Sequence, residues 1–366
     1  MSRLNIKFWK KKKVFITGHT GFKGSWLCLI LNYLGAKIYG YALKPEKKSL
    51  FNESKIQSFL SSNTFGDIKN MNLLKKRIQY VKPEIVFHLA AQPLVIESYK
   101  NPLKTFETNV MGTVNLLECL RNIKSIKSVV IVTTDKVYNI NKKSTSFSEI
   151  SELGGYDPYS CSKVGAEIVV GSYIKSFFQK TKLRNRISTA RAGNVIGGGD
   201  YSKNRLLPDI IKSINNKTDL LIRDPNSIRP WQHVLEPLVG YLILAEHQFK
   251  GKIRDKHNVW NFGPNKNSFK KVIDIVNIMK KLSFFKFKTQ NKNKFEETKV
   301  LKLNSNKAHK KLKWVSKMNL ETSLKQVIEW NRKIKIKIPA RKICENQFLK
   351  YINEYNKLLN KKSNNS

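Results

Sequence analysis

The strongest constraint on how this chain folds is a glycine-rich turn between an apolar run and a helical pattern. Val14–Thr17 is typical of a short buried strand, and Gly18, Gly21 and Gly24 follow it before the apolar stretch 25–31. A helix N-terminus offers unpaired backbone N–H groups and a partial positive charge, which favour a pyrophosphate. Glycine permits the tight turn and lets a phosphate approach the backbone. The motif therefore predicts a dinucleotide-binding unit.

Strand-like and helix-like segments alternate through the first half of the chain. The predicted strands are Val14–Thr17, Ile38–Leu43, Glu84–Ala90, Ser128–Thr134 and Ile187–Ala190, and the predicted helices cover 22–34, 71–81, 105–121 and 158–178. Strands that alternate with helices of this length form a parallel sheet with helices on both faces. We predict an α/β fold, a Rossmann-type doubly wound parallel sheet with a smaller, mixed α/β C-terminal substrate domain.

Composition excludes several classes of protein. Of the 366 residues, 40% are hydrophobic, enough to bury a sizeable core. No apolar run reaches the roughly 18 residues of a membrane-spanning helix, so we expect no membrane partner. The four cysteines are scattered without a Cys-x-x-Cys pair, which fits a reducing compartment and offers no metal framework. We expect a cytoplasmic protein without a metal site.

The formal net charge of +43 raises the alternative of a nucleic-acid-binding protein. Such a protein concentrates its cations on one face and interleaves them with aromatic residues. Here the lysines are spread over the whole chain and are densest at its ends, in Lys10–Lys13 and in 333–362. This scatter favours lysines on solvated faces, and we expect no nucleic-acid partner.

A tyrosine and a lysine form the second informative motif. Tyr159 and Lys163 are four residues apart at the start of a predicted helix, which places them on one face. A tyrosine with a pKa of about 10 is a poor base at neutral pH, but a neighbouring ammonium favours its phenolate. The lysine can also hold a cofactor ribose. Together with the glycine turn and the strand that ends at Thr133 and Thr134, the pair resembles the extended short-chain dehydrogenase/reductase superfamily.

The residues after Thr134 narrow this resemblance. Asp135 and Lys136 place an acid and a base side by side, where an epimerase on this scaffold usually has a small, unreactive residue. The acid resembles the nucleotide-sugar 4,6-dehydratases, in which a second acid/base pair eliminates water. The branch of that family that uses thymidine nucleotides carries a glutamate where Lys136 stands. A lysine at this position resembles the branch of the family that acts on CDP-glucose.

The resemblance implies NAD-dependent dehydration of a nucleotide-diphosphate glucose, with CDP-glucose as the expected substrate. Tyr159 would take the proton of the sugar 4-hydroxyl, Thr134 would hydrogen-bond the 4-oxygen and Lys163 would tune Tyr159. Asp135 would protonate the departing 6-hydroxyl. Lys136 would act as a base, which needs a lowered pKa, or would stabilise the enolate electrostatically. A 4-epimerase on the same scaffold is the nearest alternative.

Other segments carry the resemblance from about residue 12 to residue 330. They imply further cofactor contacts beside the three glycines, Tyr159 and Lys163, namely Thr20, Phe22, Lys23, Asp67, Ile68, Leu89, Ala90, Ala91, Gln92, Asn109 and Thr133. For the nucleotide sugar they imply Gln92, Asn194, Arg205, Arg229 and His233, of which the two arginines can bind phosphate bidentately.

Two residues depart from the family's pattern. Ile96 stands where the family commonly carries an arginine. No Asp or Glu closes the predicted strand Ile38–Leu43, so the usual ribose-binding acid is missing. The residues therefore leave NAD and NADP both open, and Lys44 could meet a 2′-phosphate. The resemblance implies NAD.

The resemblance also implies a domain organisation and a homodimer. We predict a dinucleotide-binding domain over 1–190 with 230–260 returning to it, a nucleotide-sugar-binding domain over 191–229 and 261–335, and a basic C-terminal extension over 336–366. The predicted helices 105–121 and 158–178 carry more apolar residues than one sheet face requires, and related enzymes pair through these helices. The product class further implies a place in deoxysugar synthesis for O-antigen lipopolysaccharide.

Overall fold

The computed structural model describes residues 4–140, 146–253, 258–290 and 302–363. Its strands are β1 (Lys13–Thr17), β2 (Lys37–Ala42), β3 (Ser62–Phe65), β4 (Ile85–His88), β5 (Ser128–Val132), β6 (Ser146–Phe147), β7 (Ile187–Ala192), β8 (Val195–Ile196), β9 (Leu220–Ile222), β10 (Ile228–Pro230), β11 (Gln232–His233), β12 (Val259–Phe262), β13 (Phe269–Lys271), β14 (Phe287–Thr289) and β15 (Lys302–Leu303). Parts of each predicted domain (1–3, 141–145, 254–257, 291–301 and 364–366) lie outside these ranges.

Thirteen α-helices connect or flank the strands within the described residues. They are α1 (Ile6–Trp9), α2 (Phe22–Tyr33), α3 (Leu50–Glu53), α4 (Met71–Val81), α5 (Val95–Lys100), α6 (Pro102–Phe106), α7 (Gly112–Leu120), α8 (Pro158–Tyr173), α9 (Leu206–Asn216), α10 (Leu235–Phe249), α11 (Val272–Leu282), α12 (Leu320–Lys335) and α13 (Ala340–Ser363). Within those ranges, no helix has both the length and the apolar character needed to cross a bilayer.

Seven parallel strands form the central sheet in the order β12-β7-β5-β4-β1-β2-β3. Helices cover both faces, which explains why β5 and β7 are buried along their whole length. The winding reverses between β1 and β4, and ligands bind beyond the carboxyl ends of strands at such a reversal. The predicted doubly wound Rossmann-type fold is confirmed.

The sequence analysis missed the edge strand β3. Its residues Ser62, Asn63, Thr64 and Phe65 are only partly buried or exposed, so no apolar run or alternation marks them as a strand. The strand forms because it pairs in register with β2, from Tyr39 to Ala42. Backbone pairing at a sheet edge supplies hydrogen bonds that side-chain patterns do not report.

Two predicted long helices contain a widened turn. The predicted helix 105–121 begins earlier as α6, passes through a π-helical turn at Glu107–Met111 and continues as α7. The predicted helix 158–178 is α8 followed by a π-helical turn at Ile174–Phe178. Asp157 accepts the backbone N–H of Ser160 at 3.0 Å and the Ser160 hydroxyl caps the Asp157 N–H at 2.9 Å. This capping box fixes where α8 begins.

The segment after β7 divides between the sheet and a second apolar cluster. Helix α10 packs on β5, β7 and β12, so the predicted return of 230–260 to the sheet describes α10 and β12. A separate buried cluster joins β9, α9, α11 and α12 and includes Ile210, Ile222, Ile275 and Leu324. Trp330 near the end of α12 packs in the main core instead. Helix α12 thus contributes to both apolar clusters, and the predicted domain boundaries stay predictions.

The predicted C-terminal extension is a helix packed on the core. Helix α13 contacts α2, α3 and α12 and buries Phe348 and Tyr351. The Tyr351 hydroxyl donates to the carboxylate of Glu236 in α10 at 3.0 Å. That carboxylate also accepts the backbone N–H groups of Lys317 and Met318, at 2.8 and 2.5 Å. Glu236 thus links α10 both to α13 and to the segment that precedes α12, at one buried point.

Glu236 predicts a pH-dependent stability. Burial raises the pKa of this carboxyl from 4.5 to about 7. The folded state therefore binds the proton more tightly than the unfolded state, so Glu236 lowers stability as pH rises from about 4.5 to about 7. Glu236→Gln keeps the size of the side chain and accepts the same N–H groups. We expect it to abolish this loss in the free energy of unfolding, which is on the order of 3 kcal/mol.

Denaturant unfolding at about pH 5 and about pH 8 measures how the free energy of unfolding changes with pH in wild type and in Glu236→Gln. Glu246→Gln is the control, because Glu246 lies on the same helix and pairs with Lys250 at the helix end. Equal pH dependence in wild type and Glu236→Gln would contradict the role given to Glu236.

Candidate active site

A cavity of about 1080 Å³ lies at the carboxyl edge of the sheet, where the winding reverses. It brings together most of the residues that the sequence predicts for a site. Its walls include Gly18, Thr20, Gly21, Phe22, Lys23, Gly24, Asp67, Ile68, Leu89, Ala90, Ala91, Thr133, Thr134, Asp135, Lys136, Tyr159, Lys163, Asn194, Arg205 and Arg229. Residues far apart in sequence meet here because the carboxyl ends of parallel strands share one edge.

The three glycines of the turn are required for different reasons. Gly18 has φ +75°, and a Cβ there would lie 2.5 Å from the backbone nitrogen of Ala90. A Cβ on Gly24 would lie 2.2 Å from the carbonyl oxygen of Gly18. These two glycines let backbone pack directly on backbone.

Gly21 is different, because the protein itself leaves room for a side chain there. A Cβ on Gly21 would be 3.5 Å from the Gly18 carbonyl, an ordinary contact. Gly21 is the N-cap of α2 and lines the cavity, so a side chain would occupy the space in front of the first free N–H groups of that helix. The turn fits a dinucleotide whose pyrophosphate sits at the start of α2.

The opposite wall at this end comes from the ends of β2 and β3. Asp67 and Ile68 line the cavity as predicted, and the Tyr41 hydroxyl donates to the Asp67 carbonyl at 2.8 Å. The Thr20 hydroxyl donates to the carbonyl of Leu43 at 3.0 Å. Leu43 is the wall residue at the end of β2, and Lys44 beyond it is exposed. The wall offers an apolar side chain where the usual ribose-binding acid would stand.

Tyr159 lies in the first turn of α8 and is nearly buried in the cavity wall. Burial raises its pKa to about 12, while the Thr134 hydroxyl and the charge of Arg205 oppose this rise. The sequence analysis expected Lys163 to lower the pKa of Tyr159. In the structure, burial outweighs every neighbouring charge, since the phenolate loses its hydration.

Lys163 lies one helical turn beyond Tyr159. Its ammonium donates to the carbonyl of Val132 at the end of β5, at 3.2 Å. Burial lowers its pKa to about 8, and the carboxylate of Glu167 on the same helix opposes that change. The lysine is therefore held against the strand that leads into Thr133 and Thr134.

Asp135 is a buried residue next to Thr134 in the chain. The Thr134 hydroxyl donates to its Oδ1 at 3.1 Å. Burial raises the pKa of Asp135, opposed mainly by Lys136 and by the Thr134 hydrogen bond. A Cβ on Gly193 would lie 2.8 Å from its Oδ2, so the chain after β7 passes directly over the carboxyl. A buried carboxyl of this kind suits proton donation.

Cationic side chains line the cavity and act on the pKa values of Tyr159 and Asp135. Arg205, the N-cap residue of α9, lies 3.4 Å from the carboxylate of Asp200. Arg229 in β10 is buried and donates to the Ser227 hydroxyl at 3.3 Å. Asn194 lies between β7 and β8 on the same wall. Two guanidinium groups on one wall suit a diphosphate.

Three predicted contact residues are outside the cavity wall. Gln92 donates its backbone N–H to Asn109 Oδ1 at 2.8 Å, and the Asn109 amide donates to the Gln92 carbonyl and to the Ser162 hydroxyl, at 3.1 and 2.8 Å. These two residues tie the loop after β4 to α8. His233 is buried, with its ring 5.9 Å from that of Trp26 in an edge-on contact. Their predicted roles toward cofactor and substrate stay predictions.

Comparisons with known proteins support the resemblance inferred from the motifs. The family model described as GDP-mannose 4,6 dehydratase matches residues 15–327. The chain is 44% identical over 335 residues to CDP-glucose 4,6-dehydratase of Salmonella typhimurium, covering 90% of this chain and 93% of that protein. The chain belongs to the dehydratase family of the extended short-chain dehydrogenase/reductases. A second family member, dTDP-D-glucose 4,6-dehydratase of Dictyostelium discoideum, is 31% identical over 72% of this chain and 62% of its own.

Solved structures share the fold of this family member. The dTDP-glucose 4,6-dehydratase of Bacillus anthracis, solved in complex with NAD, aligns over 88% of this chain and 97% of that one with a TM-score of 0.74 at 24% identity. The UDP-glucose 4-epimerase of Thermotoga maritima, solved with UDP-glucose, aligns over 88% and 99% with a TM-score of 0.76 at 21% identity. Dehydratases and epimerases therefore share this architecture, and the fold alone does not separate them.

Sequence reasoning missed two charged residues at or beside the cavity, Glu167 and Lys100. Glu167, four residues after Lys163, is bonded to the Thr133 hydroxyl at 2.6 Å, and the same i, i+4 spacing that paired Tyr159 with Lys163 could have found it. Lys100 also lines the cavity, one turn along α5 from Ile96, so a cation lies near the position where the family's arginine is absent.

The glycine turn yields a paired prediction. We expect Gly21→Ala to fold normally and to weaken NAD binding at least about tenfold, because its methyl group would occupy the phosphate's space. We expect Gly24→Ala to lose roughly 1–3 kcal/mol of stability or to fail to fold, because its Cβ meets backbone that cannot move aside. Thermal unfolding and calorimetric NAD titration separate the two effects. A Gly21→Ala protein with wild-type NAD affinity would contradict the placement of the pyrophosphate.

Proposed function

We propose that this chain is a hydro-lyase that converts CDP-glucose to the 4-keto-6-deoxy sugar with NAD as its resident cofactor. The observation that carries the proposal is the meeting of two proton-transfer pairs, Tyr159 with Lys163 and Asp135 with Lys136, around Thr134 in one cavity. Oxidation at C4 uses the first pair, and loss of water needs the second. The 44% identity with a CDP-glucose 4,6-dehydratase supports the choice of substrate.

Bound NAD would supply the hydride acceptor for C4 and the hydride donor for C6. Tyr159 takes the proton of the sugar 4-hydroxyl as its phenolate. Because burial raises the pKa of Tyr159 to about 12, the phenolate needs added positive charge, which a bound nicotinamide and Lys163 would provide. Thr134 holds the 4-oxygen.

The new 4-ketone acidifies the C5 proton and prepares the elimination. Hydroxide is a poor leaving group, so the 6-hydroxyl must receive a proton as it departs. Asp135 supplies that proton, since burial raises its pKa and keeps the carboxyl available as an acid. Lys136 takes the C5 proton or stabilises the enolate that its loss creates.

Arg205 and Arg229, which both line the cavity, bind the nucleotide diphosphate. Lys23 adds a third cation near them, and burial together with Arg205 lowers its pKa to about 8. A diphosphate would restore the charge of Lys23, because an anion favours the ammonium form. Substrate binding and the charge state of the cavity are therefore coupled.

The 4-epimerase alternative needs only the hydroxyl residue, Tyr159 and Lys163. It gives no role to the buried acid Asp135, whose carboxyl is bonded to Thr134 inside the cavity. A nucleic-acid-binding role gives no function to the cavity at all. A dehydratase gives a role to both ionisable side chains that hydrogen-bond Thr134, namely Asp135 and Tyr159.

The proposal is tested by incubating the purified protein with CDP-glucose and following loss of one water by mass spectrometry. We expect Asp135→Asn still to oxidise C4, giving a transient rise in reduced-nicotinamide absorbance, while product formation falls roughly 10²- to 10⁴-fold. We expect Tyr159→Phe to abolish the absorbance rise while NAD remains bound.

Asp219→Asn is the control, because this acid pairs with Lys288 on the surface, at 3.2 Å. Wild-type product formation by Asp135→Asn would make a simpler redox enzyme the better assignment. Conversion of CDP-glucose to its C4 epimer by the wild-type protein would favour the epimerase.

We further propose that the protein is a cytoplasmic homodimer that serves deoxysugar synthesis for O-antigen lipopolysaccharide. All four cysteines are free, as a reducing compartment requires. Large apolar side chains are exposed on the α6–α8 region, with Leu103 72% and Ile168 61% exposed. Apolar residues so exposed on neighbouring helices are typical of a subunit interface.

The dimer proposal predicts that charge on this face separates the subunits. We expect wild type to scatter light as twice the chain mass of 42.3 kDa and Leu103→Asp with Ile168→Asp to scatter as a monomer. Phe284→Asp is the matched control, since Phe284 is 78% exposed elsewhere on the surface. A monomeric wild-type protein at micromolar concentration would overturn the proposal.

A further inference from the structure

A buried chain of polar side chains runs beneath the cavity and is not used by the reaction as described. At its centre, Glu167 of α8 and Arg191 of β7 form an ion pair, with Nε to Oε1 at 2.8 Å and side chains 3% and 2% exposed. The hydroxyls of Thr133 and Thr189 each donate to Glu167 at 2.6 Å. The carboxylate is thus bonded from β5 and β7 as well as by the guanidinium.

The chain continues from Arg191 toward the second half of the protein. Arg191 donates to the hydroxyl of Tyr138 at 2.8 Å, and that hydroxyl donates to Asn261 Oδ1 at 2.7 Å. The Asn261 amide donates to the carbonyls of Phe147 and Asn304, both at 3.1 Å. Phe147 is the last residue of β6, and Asn304 directly follows β15. Both strands are thereby connected to the central sheet.

This network reaches the Asp135–Lys136 pair through the residues on either side of it in the chain. Glu167 holds Thr133, which precedes Thr134 and Asp135. Tyr138 follows the short 3₁₀ turn Asp135–Val137. The turn that carries Asp135 and Lys136 is therefore anchored on both sides, at Thr133 to α8 and at Tyr138 to β7 and β12.

Removing two charges from water costs about as much free energy as their attraction and hydrogen bonds return. A buried ion pair therefore adds little to the free energy of unfolding. It does give a single geometry, because each donor has a fixed acceptor. The Tyr138 hydroxyl links the two halves of the network, since it accepts a hydrogen bond from Arg191 and donates one to Asn261. Its loss would remove the side-chain anchor of the turn at Tyr138. The backbone bonds from Gly154 to Val137 and from Asn139 to Glu152 would remain, as would those of Glu167 to Thr133.

We propose that Tyr138 and Asn261 are positioning residues that hold the Asp135–Lys136 turn for the elimination step, separately from the Tyr159–Lys163 pair that serves oxidation. This inference rests on the proposed function for its kinetic consequence. Its structural consequence, a mobile turn in the absence of the Tyr138 hydroxyl, holds whichever sugar nucleotide the protein uses.

The test compares Tyr138→Phe with Tyr241→Phe in the NAD-bound protein. Tyr241 is the matched control, because it is also fully buried and its hydroxyl makes no hydrogen bond within the described residues. With CDP-glucose, we expect Tyr138→Phe to keep the rate of reduced-nicotinamide formation while elimination slows roughly 10- to 100-fold, so that reduced cofactor accumulates. Tyr241→Phe should show neither change.

Asn261→Ala breaks the same link from the other side and guards against a folding defect in one variant. We expect it to show the same accumulation of reduced cofactor. Both changes remove the Tyr138–Asn261 hydrogen bond, and Asn261→Ala also removes the bonds to Phe147 and Asn304. If the shared bond positions the turn, the double variant is no slower in elimination than the slower single variant. Equal slowing of oxidation and elimination, or additive effects in the double variant, would overturn the separate positioning role.

Amide hydrogen exchange supplies a readout that needs no substrate. We expect faster exchange over residues 134–140 in Tyr138→Phe than in Tyr241→Phe, with exchange in α8 unchanged. Unchanged exchange over 134–140 would overturn the inference even if the protein is a dehydratase. Faster exchange in a wild-type-like fold that releases no water from CDP-glucose would leave the positioning role standing and would overturn the proposed function instead.

Discussion

The rest of the structure depends on a steric constraint at the point where the glycine turn packs against the residues that follow β4. The backbone of Gly18 packs on the nitrogen of Ala90, and Gly24 packs on the carbonyl of Gly18, both at distances that no Cβ could occupy. This contact sets the start of α2 beside the carboxyl ends of β1 and β4. The cavity, and every side chain that lines it, depends on that placement.

Burial then sets the chemistry of the cavity, and it acts in opposite directions on acids and bases. It raises the pKa of Asp135 and of Tyr159 and lowers the pKa of Lys163 and Lys23 to about 8. Each group is thus moved toward its neutral form, because a charge loses hydration in the protein interior. Ligand charges can then move each group back, so the proton-transfer groups respond to what is bound.

Large parts of this arrangement follow from short-range patterns in the chain. The apolar runs of β1, β4 and β5, the glycine spacing and the Tyr159–Lys163 interval are local features that physical rules convert directly into strands, a phosphate turn and one helix face. The adjacent Asp135 and Lys136 needed only their position after Thr134. These features were sufficient to predict the fold class and the main residues that line the cavity.

Other features arise from contacts between distant segments, which no local pattern encodes. Strand β3 exists because Ser62–Phe65 pairs with β2, although its side chains are only partly buried or exposed. The basic end of the chain forms α13 because Phe348 and Tyr351 find a buried surface on the core. The pKa of Tyr159 rises because burial outweighs the Thr134 hydrogen bond and the charge of Arg205. The amino-acid order thus determined which chemical groups are present and their spacing along the chain, whereas packing decided their hydration and their partners, since both depend on atoms brought together from far apart in sequence.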